Sequence, residues 1–84
     1  MESKCELKKF KNCKMYLIKN DRGISRTLLK GQKSFDRREL AFMSILRSSI
    51  KKGDICADLG ANIGFVTLQM ADLAGKDGHV FAIE

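Results

Sequence analysis

The chain predicts an α/β fold built around one strand–helix–strand unit, and three observations predict it. Residues 54–59 (Asp54-Ile55-Cys56-Ala57-Asp58-Leu59) form a short, largely apolar run that stops at an acid and Gly60. Residues 63–74 place Phe65, Val66, Leu68, Met70, Ala71, Leu73 and Ala74 around much of a helical circumference before Gly75 ends the helix. His79-Val80-Phe81-Ala82-Ile83 is a second β-favouring run, and it ends at Glu84. Two such runs joined by a helix are expected to pair in parallel through a right-handed crossover.

The elements before this unit follow from the same signals. Residues 1–14 are rich in lysine with isolated Leu7 and Phe10, which predicts a basic tail, frayed or loosely helical. Met15-Tyr16-Leu17-Ile18-Lys19 and Ile24-Ser25-Arg26-Thr27-Leu28-Leu29 favour strand and flank Asn20-Asp21-Arg22-Gly23, a set of turn formers, so a β-hairpin is expected there. Gly31-Gln32-Lys33-Ser34 breaks that pattern. Asp36 with Glu39 three residues on then has the layout of a capping box, which opens a helix over about 36–50. Leu40, Phe42, Met43, Ile45, Leu46 and Ile50 give that helix a wide apolar face, and Arg47, Lys51 and Lys52 sit near its end before Gly53. With no repeats, no low-complexity linker and no proline, residues 15–84 read as part of a single domain carrying the 1–14 tail.

Length and composition bound what this domain can be. The chain has 84 residues. A domain of this size buries only ~60% of its unfolded surface, and a doubly wound sheet needs about five or more strands to cover both faces. The sequence therefore reads as the N-terminal portion of a larger domain, stopping after the second parallel strand. Residues 1–52 hold 15 Lys and Arg against 5 acids, whereas residues 53–84 hold 1 against 5, giving a net charge of +6. A basic front half suits an anionic partner, nucleic acid included, or is a solvated surface that an acidic remainder balances. Three cysteines without Cys-x-x-Cys spacing indicate neither a disulfide framework nor a zinc site, and a reducing cytoplasm fits them. Cys56, in mid-strand, reads as a small buried hydrophobe. No apolar stretch follows Met1, and no run approaches the ~20 apolar residues of a membrane span.

The chemistry concentrates in residues 58–64, Asp58-Leu59-Gly60-Ala61-Asn62-Ile63-Gly64. Glycine after a strand lets the backbone turn tightly and approach a ligand with no Cβ in the way, and the following helix points its first N–H groups into the same crevice. That is the layout of a nucleotide-type cofactor site. Glu84, 20 residues past Gly64, stands where such a unit presents a carboxylate to ribose hydroxyls. A dinucleotide fingerprint beginning at Gly60 would require glycine at 62 and 65, where the chain has Asn62 and Phe65. A P-loop is excluded because no Gly-Lys-Ser/Thr follows. Asp58 is expected to hold the loop by accepting backbone N–H bonds. Asn62 tolerates an unusual backbone angle and carries both a donor and an acceptor, and it serves equally as a helix N-cap. His79, with no partner residue nearby in sequence, reads as solvated rather than catalytic.

Asp58, Gly60 and Gly64, with Asn62 in place of a middle glycine, form an acid-x-Gly-x-Gly-x-Gly pattern that resembles motif I of Rossmann-like S-adenosylmethionine (SAM) methyltransferases. Asp58-Leu59-Gly60-Ala61-Asn62-Ile63-Gly64-Phe65-Val66-Thr67-Leu68 followed by Gly75-Lys76-Asp77-Gly78-His79-Val80-Phe81-Ala82-Ile83-Glu84 is similar to the FkbM family of these enzymes, with a lead-in at Asp21-Arg22-Gly23-Ile24-Ser25 and the helix around Glu39. The likeness covers roughly Met15 to Glu84. It implies a Rossmann-like SAM methyltransferase fold of which only the first βαβ unit is present, preceded by a β-hairpin and a helix. It also implies SAM as cofactor, with Asp58, Gly60, Ala61, Asn62, Gly64 and Glu84 binding it, and a hydroxyl of a small molecule, sugar or glycolipid as methyl acceptor. Acceptor and catalytic residues belong to later strands of such a fold. Two competing readings are a nucleic-acid methyltransferase, suggested by the basic residues 1–52, and a basic binding module without catalysis.

Overall fold

The computed structural model describes residues 4–19, 23–31 and 35–84. It is a small mixed α/β protein with two two-stranded sheets and three helices: β1 (Cys5–Lys9), β2 (Lys14–Ile18), α1 (Ile24–Lys30), α2 (Arg37–Ser49), β3 (Ile55–Leu59), α3 (Phe65–Ala74) and β4 (His79–Ile83). The chain divides into two compact units, Met1–Ala41 and Phe42–Glu84.

In the first unit β1 and β2 pair antiparallel, with Cys5 opposite Ile18, Leu7 opposite Tyr16 and Lys9 opposite Lys14. The Phe10 N–H donates to the Cys13 carbonyl at 2.7 Å and closes the turn. The hairpin thus lies one strand earlier than the sequence predicts. Cys5–Lys9 of the expected tail form β1, and residues 24–30 are helix rather than strand. The physical reason is periodicity. Ser25 and Leu28 are buried and Ile24 and Leu29 half-buried, a spacing that faces one side of a helix, whereas a strand would bury alternate residues. In β2 that alternation is present: Met15 and Leu17 are buried and Lys14, Tyr16 and Ile18 exposed. Helix α1 lies against β2, and Leu17 and Leu28 are the largest fully buried side chains among the described residues. The expected turn at Asn20-Asp21-Arg22 and the break at Gln32-Lys33-Ser34 fall outside the described residues.

Helix α2 begins with the capping box expected from the sequence. The Asp36 N–H donates to Glu39 Oε2 at 3.0 Å, and the Glu39 N–H donates to Asp36 Oδ1 at 2.9 Å. Its apolar face is narrower than the composition suggests: Met43 and Leu46 are buried, an i, i+3 stripe, while Leu40, Phe42 and Ile45 remain exposed.

The second unit contains the strand–helix–strand arrangement. β3 and β4 pair in parallel, Ile55 opposite His79 through Leu59 opposite Ile83, and α3 packs on both. Cys56 and Asp58 turn toward α3, while Ile55, Ala57 and Leu59 turn away and are exposed. Helix α3 buries Phe65, Gln69 and Ala74, and its last turn is tied to the start of β3 by the Gly53 N–H donating to the Ala74 carbonyl at 2.8 Å. Lys52 Nζ donates to the Asp72 carbonyl at 3.0 Å at the same helix end.

Gly78 makes this return possible. A Cβ there would lie 2.5 Å from the Ala74 Cβ and 2.7 Å from the carbonyl oxygens of both Ala74 and Asp54. Gly78→Ala is therefore expected to destabilise the second unit by roughly 1–3 kcal/mol, the overpacking range, because the atoms in the way are backbone carbonyls and a short side chain that cannot swing aside. Urea denaturation followed by far-UV circular dichroism checks this, and an unchanged midpoint would show that the turn opens freely.

Candidate functional site

The loop after β3 is shaped by a run of left-handed backbone angles: Gly60 at φ 77°, Asn62 at 54° and Gly64 at 93°. Asn62 has the one positive φ found outside glycine among the described residues, which matches the tolerance expected of an asparagine. Gly64, not Asn62, occupies the N-cap of α3, and no side chain caps that end. A Cβ at Gly60 or Gly64 would meet nothing within 4 Å, so the chain itself requires these glycines for their angles rather than for space.

Backbone hydrogen bonds pin this loop to β4. The Ile83 carbonyl accepts from both the Gly60 N–H at 2.7 Å and the Ala61 N–H at 3.1 Å, and the Gly64 N–H closes a turn onto the Ala61 carbonyl at 3.0 Å. The Asn62 N–H donates to Glu84 Oε2. Five of the residues singled out in the sequence, Gly60, Ala61, Asn62, Gly64 and Glu84, thus form one continuous rim at the carboxyl ends of two parallel strands. Asn62 and Glu84 are exposed on it.

Asp58 departs from its expected part. Its side chain is 7% exposed, and its carboxylate accepts a 2.6 Å hydrogen bond from the Thr67 hydroxyl in the first turn of α3 rather than backbone N–H bonds from the loop. The physical cause is strand alternation: Asp58 points under the helix, so the nearest donor is a helix side chain and not the loop that begins two residues later. Thr67 is the residue that reasoning on the loop missed. Its signal in the sequence is a hydroxyl in the first turn of an otherwise apolar helix, within reach of the acid near the strand's end.

Two cavities are described in this unit. One of about 410 Å³ is lined by Lys52, Gly53, Ala74, Gly75, Lys76 and Asp77 at the far end of α3. The other, about 260 Å³, runs beside Thr67, Ala71 and Val80. Neither of these two is lined by residues 58–64 or by Glu84. Among the described residues no group of three or more His, Cys, Asp or Glu could hold a metal ion, and no helix is long and apolar enough to cross a membrane. None of the three cysteines is in a disulfide. His79 is exposed, with its ring edge-on to Phe81 at 4.4 Å between centroids.

Neither a family model, nor a curated protein, nor a solved structure matches the chain.

Proposed function

We propose that the rim formed by residues 60–64 and Glu84 is the donor site of a SAM-dependent methyltransferase similar to the FkbM type. On this reading β3, α3 and β4 are the first unit of a Rossmann-like sheet in a cytoplasmic enzyme that methylates a hydroxyl of a small molecule, sugar or glycolipid. The observation that carries the proposal is the Asn62 N–H donating to the Glu84 carboxylate, beside Ile83 accepting from Gly60 and Ala61. A flexible carboxylate is thereby held against a glycine loop at the strand ends where open α/β sheets bind ligands.

The residues present fit such a cofactor. Open space at the Cβ positions of Gly60 and Gly64 lets a ligand reach the backbone, and the exposed Glu84 has acceptor capacity beyond its bond to Asn62. SAM supplies a methyl group on a sulfonium, and the chain's task is alignment and exclusion of water. Glu84 would accept the ribose hydroxyls, the Asn62 side chain would serve the amino-acid end, and Asp58 would act indirectly by fixing the first turn of α3 through Thr67. No residue of this chain is assigned to the acceptor.

Calorimetric titration of the full-length protein with SAM and with NAD tests the donor, and NAD binding without SAM binding overturns the proposal. Glu84→Ala is expected to weaken SAM binding about tenfold, the value of one or two exposed hydrogen bonds. SAM with a 2′-deoxyribose should lose affinity on the native protein and little more on the Ala variant. An equal loss on both would mean that Glu84 does not read the ribose.

A further inference from the structure

The hairpin of the first unit presents an outer face that its packing does not explain. By register and alternation that face carries Cys5, Leu7 and Lys9 from β1 beside Ile18, Tyr16 and Lys14 from β2. The opposite face buries Met15 and Leu17, on the strand against which α1 lies. On the outer face Leu7 is 40% exposed, Ile18 53% and Tyr16 75%. Two aliphatic side chains and an aromatic ring therefore stand in water at one end of the face, and the cross-strand pair Lys9 and Lys14 closes the other end. The hairpin as a whole is strongly basic: residues 4–19 contain six lysines and a single acid, Glu6.

We propose that this face docks on an anionic lipid surface. A bilayer interface takes leucine and isoleucine into the acyl boundary and seats tyrosine at headgroup level, while lysines bury their stems and extend their ammonium groups to anionic headgroups. The two ingredients are each weak and work together, apolar contact with electrostatic attraction. Single-stranded nucleic acid fits the charge but not the face, because such sites stack successive bases on several aromatic rings and this one offers a single ring beside aliphatic chains. The inference is independent of the donor site and concerns a different unit of the chain.

Sedimentation of the full chain with vesicles tests it. Vesicles of phosphatidylserine and phosphatidylcholine should carry the protein down, vesicles of phosphatidylcholine alone should not, and the binding should fall as salt rises. Tyr16 is the only tyrosine and the chain has no tryptophan, so intrinsic emission reports on this face alone. Its quenching by acrylamide should drop when anionic vesicles are present. Lys9→Gln with Lys14→Gln should lower partitioning ~25-fold, about fivefold for each charge. Tyr16→Ser should lower it on the order of tenfold, and its exposed position leaves the fold intact by circular dichroism. Equal sedimentation with neutral vesicles overturns the proposal, as does binding that ignores all three substitutions. Binding of polyuridylate without binding of vesicles overturns it in favour of a nucleic-acid surface.

Discussion

Leu28→Ala is expected to cost about 2–5 kcal/mol, the range for truncating a fully buried leucine, and to unfold much of the first unit. Leu28 is 0% exposed on α1, and Leu17 is 1% exposed on the strand that α1 covers. Beyond these two, Met15 at 9% exposed is the one other large apolar side chain buried among the described residues of this unit. A core this small leaves no reserve, since even larger domains are stable by only ~5–15 kcal/mol. Urea denaturation read by Tyr16 emission isolates the unit, because the chain's single tyrosine lies in β2. Ile18→Ala, at a site 53% exposed on the same strand, should move the midpoint by less than ~0.5 kcal/mol. If the two substitutions cost the same, α1 does not hold the hairpin and the helix is not part of its core.

The same leucine shows why the first unit was hard to read and the second was not. Ile24-Ser25-Arg26-Thr27-Leu28-Leu29 is rich in β-branched and apolar residues, and a four-residue run of turn formers stands before it. Local propensity favours a strand there. What decides the matter is burial at helical spacing against β2, a tertiary effect that propensity does not carry. The turn at Phe10–Cys13 is weak in the sequence because it contains neither glycine nor proline, and lysines on both sides of it suggest a solvated tail rather than paired strands. The second unit carries its signals locally. Gly53 and Gly75 end α2's approach and α3, the apolar runs are bounded on both sides, and β4 has the expected limits, while β3 begins one residue and α3 two residues later than expected.

Legibility of the candidate site follows the same division. The loop's backbone angles were readable because only glycine and asparagine occupy positions 60, 62 and 64. The approach of Glu84 to the loop was readable from the length of a strand–helix–strand unit. The bond between Asp58 and Thr67 was not, because it depends on which side of β3 the helix lies, and spacing alone does not say. Gly78 is legible as a turn residue but its steric role is not, because that role is the proximity of Ala74 and Asp54, residues four and 24 positions away, and a turn glycine looks the same with or without them.

Asp58→Ala is expected to cost about 1.5–3 kcal/mol, the value of a hydrogen bond to a charged group, and a double-mutant cycle with Thr67→Val separates that bond from its surroundings. The carboxylate is 7% exposed and its hydroxyl donor stands 2.6 Å away in the first turn of α3. Thr67→Val keeps the side-chain shape and strands a nearly buried carboxylate without its donor, while Asp58→Ala strands a hydroxyl that water still reaches at a half-buried position. The first should therefore cost at least as much as the second. Removing both partners leaves neither group wanting, so the double variant should be more stable than the sum of the single losses by ~1–3 kcal/mol, the size of coupling expected for residues in direct contact. Urea denaturation followed by circular dichroism at 222 nm, which reads the helices together, measures each step. Simple additivity would show that the two groups do not hold one another. The cycle also bears on the proposed donor site, because Asp58 and Thr67 meet in the first turn of α3, directly after its N-cap Gly64 on the rim. SAM affinity of the full-length protein should fall in Thr67→Val together with stability, although Thr67 itself is not expected to touch the ligand. If affinity is unmoved while stability falls, the bond serves the fold alone.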